Sequence, residues 1–147
     1  MCEDSSLRNA RILVIEDEGL EAQLAIDVLQ RHGTAAVKVA ATVQTALALL
    51  AAESFDCVIF DLELDGFFSY GMAFALKDAG IPFMFCTAHA DLVADFINVP
   101  KVDKPYTEEV FLAAVQACLN LKPSGKASEP ADGQAQDGQT QEKQAPG

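Results

Sequence analysis

Five short apolar runs separated by amphipathic stretches constrain this 147-residue chain more than any other feature. They lie at residues 10–15, 35–40, 55–60, 81–86 and 100–103, and the most apolar carry no alternation of polar and apolar side chains. Such runs read as strands buried on both faces, the condition of a parallel sheet covered by helices. Strand and helix alternating five times predicts an α/β fold, a doubly wound sheet of five parallel strands built from βα units. No internal repeat accompanies the pattern.

The intervening stretches carry helix signals. Leu20, Leu24, Val28 and Arg31 recur at helical spacing, and Gly33 supplies the positive-φ residue that commonly follows a helix end. Thr42 can cap a second helix with an inner face of Val43, Ala46, Leu47 and Leu50. A third shows Met72, Ala75, Leu76 and Ala79 and ends near Gly80, before Pro82 forbids continuation. Thr107, Glu108 and Glu109 cap and charge the last helix favourably, and its stripe is Phe111, Val115, Cys118 and Leu119. Only sixteen residues separate Thr87 from Lys104, so a fourth helix there is expected to be short or poorly ordered.

A hydrophobic content of 50% supports a globular core, but it is unevenly spread. From Lys122 to Gly147 there is no Val, Ile, Leu, Met, Phe, Tyr or Cys. One domain over residues 1–121 followed by a disordered polar tail over 122–147 is the expected organisation. The domain holds seven Lys or Arg against eighteen Asp or Glu, a charge of about −11 that repels nucleic acid phosphates. Cys2, Cys57, Cys86 and Cys118 form no C-x-x-C pair, and three of them sit in apolar segments as core residues would. No run approaches the roughly 18 apolar residues of a membrane helix, and no signal peptide pattern opens the chain. A cytoplasmic, reduced protein that binds neither nucleic acid nor membrane is expected.

Carboxylates stand directly after two of the strands. Glu16, Asp17 and Glu18 follow Ile15, and Asp61 follows Phe60, while Thr87 closes strand four and Lys104 follows strand five. A lone acid after a strand is ordinarily a helix cap or a solvated turn. In an open parallel sheet, however, the carboxyl ends of the strands form the binding crevice, so these groups share one rim. Converging carboxylates repel, and they persist with protonation or a hard divalent ion such as Mg²⁺. A carboxylate is also a nucleophile toward phosphorus, which makes Asp61 the candidate nucleophile, with Lys104 and Thr87 placed to contact phosphoryl oxygens.

The ordered set Ile12-Leu13-Val14-Ile15-Glu16-Asp17-Glu18, Val58-Ile59-Phe60-Asp61-Leu62, Phe85-Cys86-Thr87-Ala88 and Asp103-Lys104-Pro105-Tyr106 resembles the receiver domain of two-component response regulators over about residues 8–121. The resemblance implies the flavodoxin-like (βα)5 strand order 2-1-3-4-5, known for a chemotaxis member of that family. It implies that Asp61 accepts a phosphoryl group from the phosphohistidine of a histidine kinase or phosphotransfer protein. Mg²⁺ is then held by Glu16, Asp17, Asp61 and the backbone carbonyl of Glu63, with Lys104 and Thr87 as the phosphate-contacting pair. Glu63 and His89 fall at positions that tune autodephosphorylation in the family. An unknown downstream protein receives the signal from a stand-alone, single-domain regulator.

Two departures from the family pattern stand out. Asp65-Gly66-Phe67-Phe68-Ser69-Tyr70-Gly71 replaces the usual proline-containing loop, and Lys101 occupies the place of the aromatic that swings inward on activation. Phe85-Cys86-Thr87-Ala88 is also similar to the F-A-T-G segment of a subgroup of single-domain receivers. Two other readings compete. A phosphohydrolase of the haloacid-dehalogenase type wants an aspartate where Glu63 stands, and a receiver-like interaction module works without phosphorylation.

Overall fold

The computed structural model describes residues 7–121, and the tail assigned to 122–147 and Cys2 lie outside the described residues. The elements run β1 (Arg11–Ile15), α1 (Gly19–Arg31), β2 (Ala36–Ala40), α2 (Val43–Ala52), β3 (Cys57–Phe60), β4 (Glu63–Leu64), β5 (Phe67–Phe68), α3 (Tyr70–Asp78), β6 (Phe83–Thr87), a 3₁₀ turn (Ala90–Val93), β7 (Lys101–Asp103) and α4 (Glu108–Asn120). Five strands form one parallel sheet in the order β2-β1-β3-β6-β7. The doubly wound α/β sheet and its flavodoxin-like order are as expected. The fourth helix is reduced to four residues of 3₁₀ geometry.

Side chains alternate across the sheet and fill two cores, as the strand period requires. Ile12, Val14, Cys57, Ile59, Met84, Cys86 and Val102 pack beneath α1 and α4. Leu13, Ile15, Val58, Phe60, Phe83 and Phe85 pack beneath α2 and α3. Cys57, Cys86 and Cys118 are buried free thiols, and the Sγ atoms of Cys57 and Cys118 lie 2.8 Å apart. Thr42 and Thr107 cap α2 and α4 by accepting the N–H of Thr45 and Val110. Gly33 (φ 96°) and Gly80 (φ 72°) end α1 and α3 in the left-handed region.

The inner faces of three helices differ from expectation. Helix α1 turns Ala22, Ala25, Val28 and Leu29 inward and leaves Leu20 and Leu24 71% and 53% exposed. Small alanines let the helix lie close to the sheet, so the leucine spacing marked the wrong stripe. In α2 only Ala46 is fully buried and Leu47 is exposed; in α3 the inward residues are Met72, Ala73 and Leu76, with Ala75 and Ala79 outside. Helix α4 buries the expected Phe111, Val115, Cys118 and Leu119.

The sheet register positions the functional rim. Ile15 pairs with Phe60, so Glu16 and Asp61 emerge side by side; their N–H groups bond to Ala40 O and Ile15 O at 3.0 Å. Thr87 pairs with Asp103, and Lys104 N–H donates to Thr87 O at 3.1 Å. Between β3 and α3, where the sequence pattern suggests a loop, lies an antiparallel hairpin pairing Glu63 with Phe68 and Leu64 with Phe67.

Phe111 is fully buried, so Phe111→Ala is expected to cost ~3–5 kcal/mol in urea denaturation. Leu20→Ala, at an exposed position, is expected to stay within about 0.5 kcal/mol of wild type.

Candidate functional site

Lys104 lies at the centre of the rim. Its Nζ donates to Glu16 Oε1 at 2.6 Å, to Asp61 Oδ2 at 3.0 Å and to Glu21 Oε1. The Lys104 side chain is 14% exposed, and Asp61 and Glu16 are buried. Asp61 Oδ1 accepts the Glu63 N–H at 3.1 Å, and Glu16 Oε2 accepts the Glu18 N–H at 3.1 Å. An open cavity of about 240 Å³ lies over these groups, and Asp17, Glu63 and His89 also line it.

One oxygen from each of Glu16, Glu21 and Asp61 lies within 4.8 Å of the other two. Burial pushes the Glu16 carboxyl up to about 7, against the lowering pull of Lys104. Burial alone would depress the Lys104 ammonium, but hydrogen bonds to the three carboxylates outweigh it and raise its value. Protonation and a divalent ion are therefore not the only ways to hold these acids together. A lysine from the neighbouring strand end supplies positive charge in the same place, in a medium where each interaction is stronger than in water.

The structure brings Glu16, Asp61 and Lys104 together and treats the other expected residues differently. Asp17 lines the cavity, but its Oδ2 accepts the Asp65 N–H at 2.7 Å instead of joining the carboxylate cluster. Thr87 is fully buried, and its hydroxyl accepts the His89 N–H at 3.1 Å. The Glu63 carboxylate is 3.0 Å from His89 Nε2. Glu21 was missed. Its signal was an acid in the first turn of the helix after strand one, a position so commonly acidic for helix-dipole reasons that it drew no notice. Lys101, at the position of the expected aromatic, donates to the carbonyls of Phe96 and Val99, and burial lowers its pKa.

Glu16, Glu21 and Asp61 form an all-oxygen donor set of the kind hard cations such as Mg²⁺ prefer, and Asp17 stands beside it. A carboxylate, an ammonium and a buried hydroxyl at neighbouring strand ends are the kinds of group that phosphoryl chemistry uses.

The family model described as the response regulator receiver domain matches residues 12–116. No curated protein matches the sequence. Among solved structures, the response regulator PhyR from Brucella abortus superimposes with a TM-score of 0.67 at 27% identity, over 84% of this chain and 54% of that one. The chain therefore spans about half the length of that relative. The receiver domain of the PhyR response regulator from Erythrobacter litoralis gives 0.68 at 26% identity, over 80% and 95%. SdrG from Pseudomonas melonis Fr1, in a BeF₃-activated conformation, gives 0.64 at 34% identity, over 74% and 95%.

Removing the ammonium tests this electrostatic arrangement. Lys104→Met is expected to cost ~3–5 kcal/mol in EDTA, because it strands buried carboxylates, and Mg²⁺ is expected to restore part of the loss in urea denaturation. A second expectation concerns pH. With its carboxyl raised from 4.5 to about 7, folded Glu16 keeps a proton that the unfolded chain has lost. Its contribution therefore lowers metal-free stability as pH climbs through that window. Glu16→Gln removes this component, seen as a flatter dependence of the thermal midpoint on pH in EDTA.

Proposed function

Because the chain belongs to the response regulator receiver domain family, we propose that Asp61 accepts a phosphoryl group from a phosphohistidine and that the protein signals through protein contacts. The observation that carries this reading is the contact of Lys104 Nζ with Asp61 Oδ2 at 3.0 Å inside a carboxylate cluster open to a cavity. A structural salt bridge needs one acid, whereas this lysine serves three at the mouth of a crevice.

In the proposed step a carboxylate oxygen of Asp61 attacks phosphorus and the P–N bond to the donor imidazole breaks. The imidazole nitrogen leaves with the electron pair and takes up a proton, and an acyl phosphate remains on Asp61. The Lys104 ammonium neutralises charge on the nucleophile and then on a phosphoryl oxygen. The Thr87 hydroxyl has its own proton to donate to a second phosphoryl oxygen, and turning toward that oxygen gives up the His89 N–H it accepts here. The Glu63 N–H orients the attacking carboxylate through Oδ1.

Mg²⁺ would be held by Asp61 and Glu16, with Asp17 and the Glu63 carbonyl as the remaining family ligands and Glu21 as an additional carboxylate here; it would supply charge neutralisation for the transferred group. For the cluster to take the ion, Lys104 would share or give up the Glu16 and Glu21 oxygens it holds here. That exchange of one cation for another ties the site's metal affinity to the position of the lysine.

The donor is a histidine kinase or a phosphotransfer protein, and the recipient of the signal is a second protein. The likeness to SdrG, 95% of whose chain is covered, supports reading this receiver as a signalling unit of the same kind. The BeF₃-activated state of SdrG supports a phosphorylation-driven switch in this chain as well. Buried free thiols are compatible with the reducing cytoplasm. No helix among the described residues is long and apolar enough to cross a membrane.

A second reading, an interaction module independent of phosphorylation, is favoured by one observation: Lys101 is tied to two carbonyls where the family places its mobile aromatic. Acetyl phosphate with Mg²⁺ separates the two. Wild type is expected to gain the mass of one phosphoryl group, lost in Asp61→Asn and in EDTA. No gain in wild type would leave the module reading standing and remove the phosphoacceptor.

A further inference from the structure

The β4–β5 hairpin begins two residues after Asp61, and its hydrogen bonds reach Asp61, Asp17 and His89. The Glu63 N–H donates to Asp61 Oδ1 at 3.1 Å, and the Asp65 N–H donates to Asp17 Oδ2 at 2.7 Å. Its cross-strand register puts Glu63 opposite Phe68, on one side of the ribbon. Both reach His89. The Glu63 carboxylate lies 3.0 Å from Nε2, and the Phe68 ring meets the imidazole edge-on with centroids 5.0 Å apart. The backbone N–H of His89 in turn donates to the Thr87 hydroxyl.

A two-stranded ribbon has little stability of its own. This one is closed by a two-residue Asp65-Gly66 turn with φ of 53° and 81°, and by the Ser69 N–H on Leu62 O at 2.7 Å. Leu64 is buried as an anchor, while Phe67 and Phe68 remain 73% and 46% exposed. Apart from the Phe68–Tyr70 ring contact, with centroids 6.5 Å apart, its remaining restraints lead to the Asp61 and Asp17 carboxylates and to His89, whose N–H rests on the Thr87 hydroxyl.

We propose that the hairpin is a strap that reads the state of Asp61 and converts it into a new placement of Phe67 and Phe68. The inference rests on the phosphoacceptor reading above. Forming the acyl phosphate turns the Asp61 carboxylate into an uncharged acyl group, so the Glu63 N–H loses its charged acceptor. A cation drawing on Asp17 competes with the Asp65 N–H in the same way. A Thr87 hydroxyl that turns to the phosphoryl group releases the His89 N–H, and His89 is the group that Glu63 and Phe68 grip. Three restraints weaken together, and charge-assisted hydrogen bonds are the stronger kind, so their loss moves a marginal ribbon. With Lys101 clamped to Phe96 and Val99, the exposed aromatic pair sits on the element most directly bonded to the nucleophile.

The chain contains no tryptophan, so one introduced indole is a unique reporter. Phe68→Trp places it in the strap; Phe67→Trp, at a mostly exposed position, serves if the first variant fails to fold. Leu47→Trp on α2 is the remote control. Each is treated with acetyl phosphate and Mg²⁺, with uptake followed by intact mass and the indole followed by emission and acrylamide quenching. The strap predicts at least a twofold change in quenching constant at position 68 or 67, none at 47, and none when Asp61→Asn is added. Uptake of the phosphoryl group with an unmoved strap reporter, or an equal change at position 47, overturns the strap and leaves the phosphoacceptor intact. No uptake overturns both.

Discussion

The contact between the Lys104 ammonium and the carboxylates of Glu16, Glu21 and Asp61 is the interaction on which the rest of the rim depends. Each acid is delivered by a different piece of backbone, the ends of β1 and β3 and the first turn of α1, and the lysine comes from beyond β7. Glu16 and Asp61 are buried and Lys104 nearly so, and none of the three would be tolerated there alone, whereas Glu21 is half-exposed. Their mutual compensation lets two central strands of the sheet end in buried acids, and it keeps the Asp61 carboxylate beneath an open cavity.

The same arrangement links stability with function. On the proposed reading, an ion entering the site would share the oxygens that Lys104 holds on Glu16 and Glu21, so the cost would fall on those contacts. Asp61 is common to both states. The hairpin sits where that exchange would be felt, because two of its backbone N–H groups terminate on Asp61 and Asp17.

Much of this was legible in the sequence. The apolar runs located all five sheet strands, most plainly β1, β3 and β6, whose burial on both faces leaves few other ways to use them, and the acids and Lys104 after the strands marked the rim. The helix faces of α1 and α2 were harder to read. Leucines at regular spacing look like a core stripe, yet the alanines between them are what allow close approach to the sheet. The hairpin was signalled by Asp65-Gly66, the dipeptide that suits a two-residue turn with both φ values positive, but four flanking residues are too few for a periodicity. Glu21 and the inward reach of Lys104 depend on side-chain conformations that no local pattern encodes, and the same is true of Asp17 turning to the Asp65 N–H.

The exchange of cations is tested most directly by a pair of crystal structures, one grown in EDTA and one in Mg²⁺. In EDTA, Lys104 Nζ is expected to bridge Glu16, Glu21 and Asp61. In Mg²⁺, an ion is expected about 2.1 Å from oxygens of Asp61 and its acidic neighbours, with Lys104 retaining Asp61 and releasing Glu21. A lysine that stays on all three carboxylates while no ion enters the cavity, or one that lies in solvent in both crystals, would contradict the account.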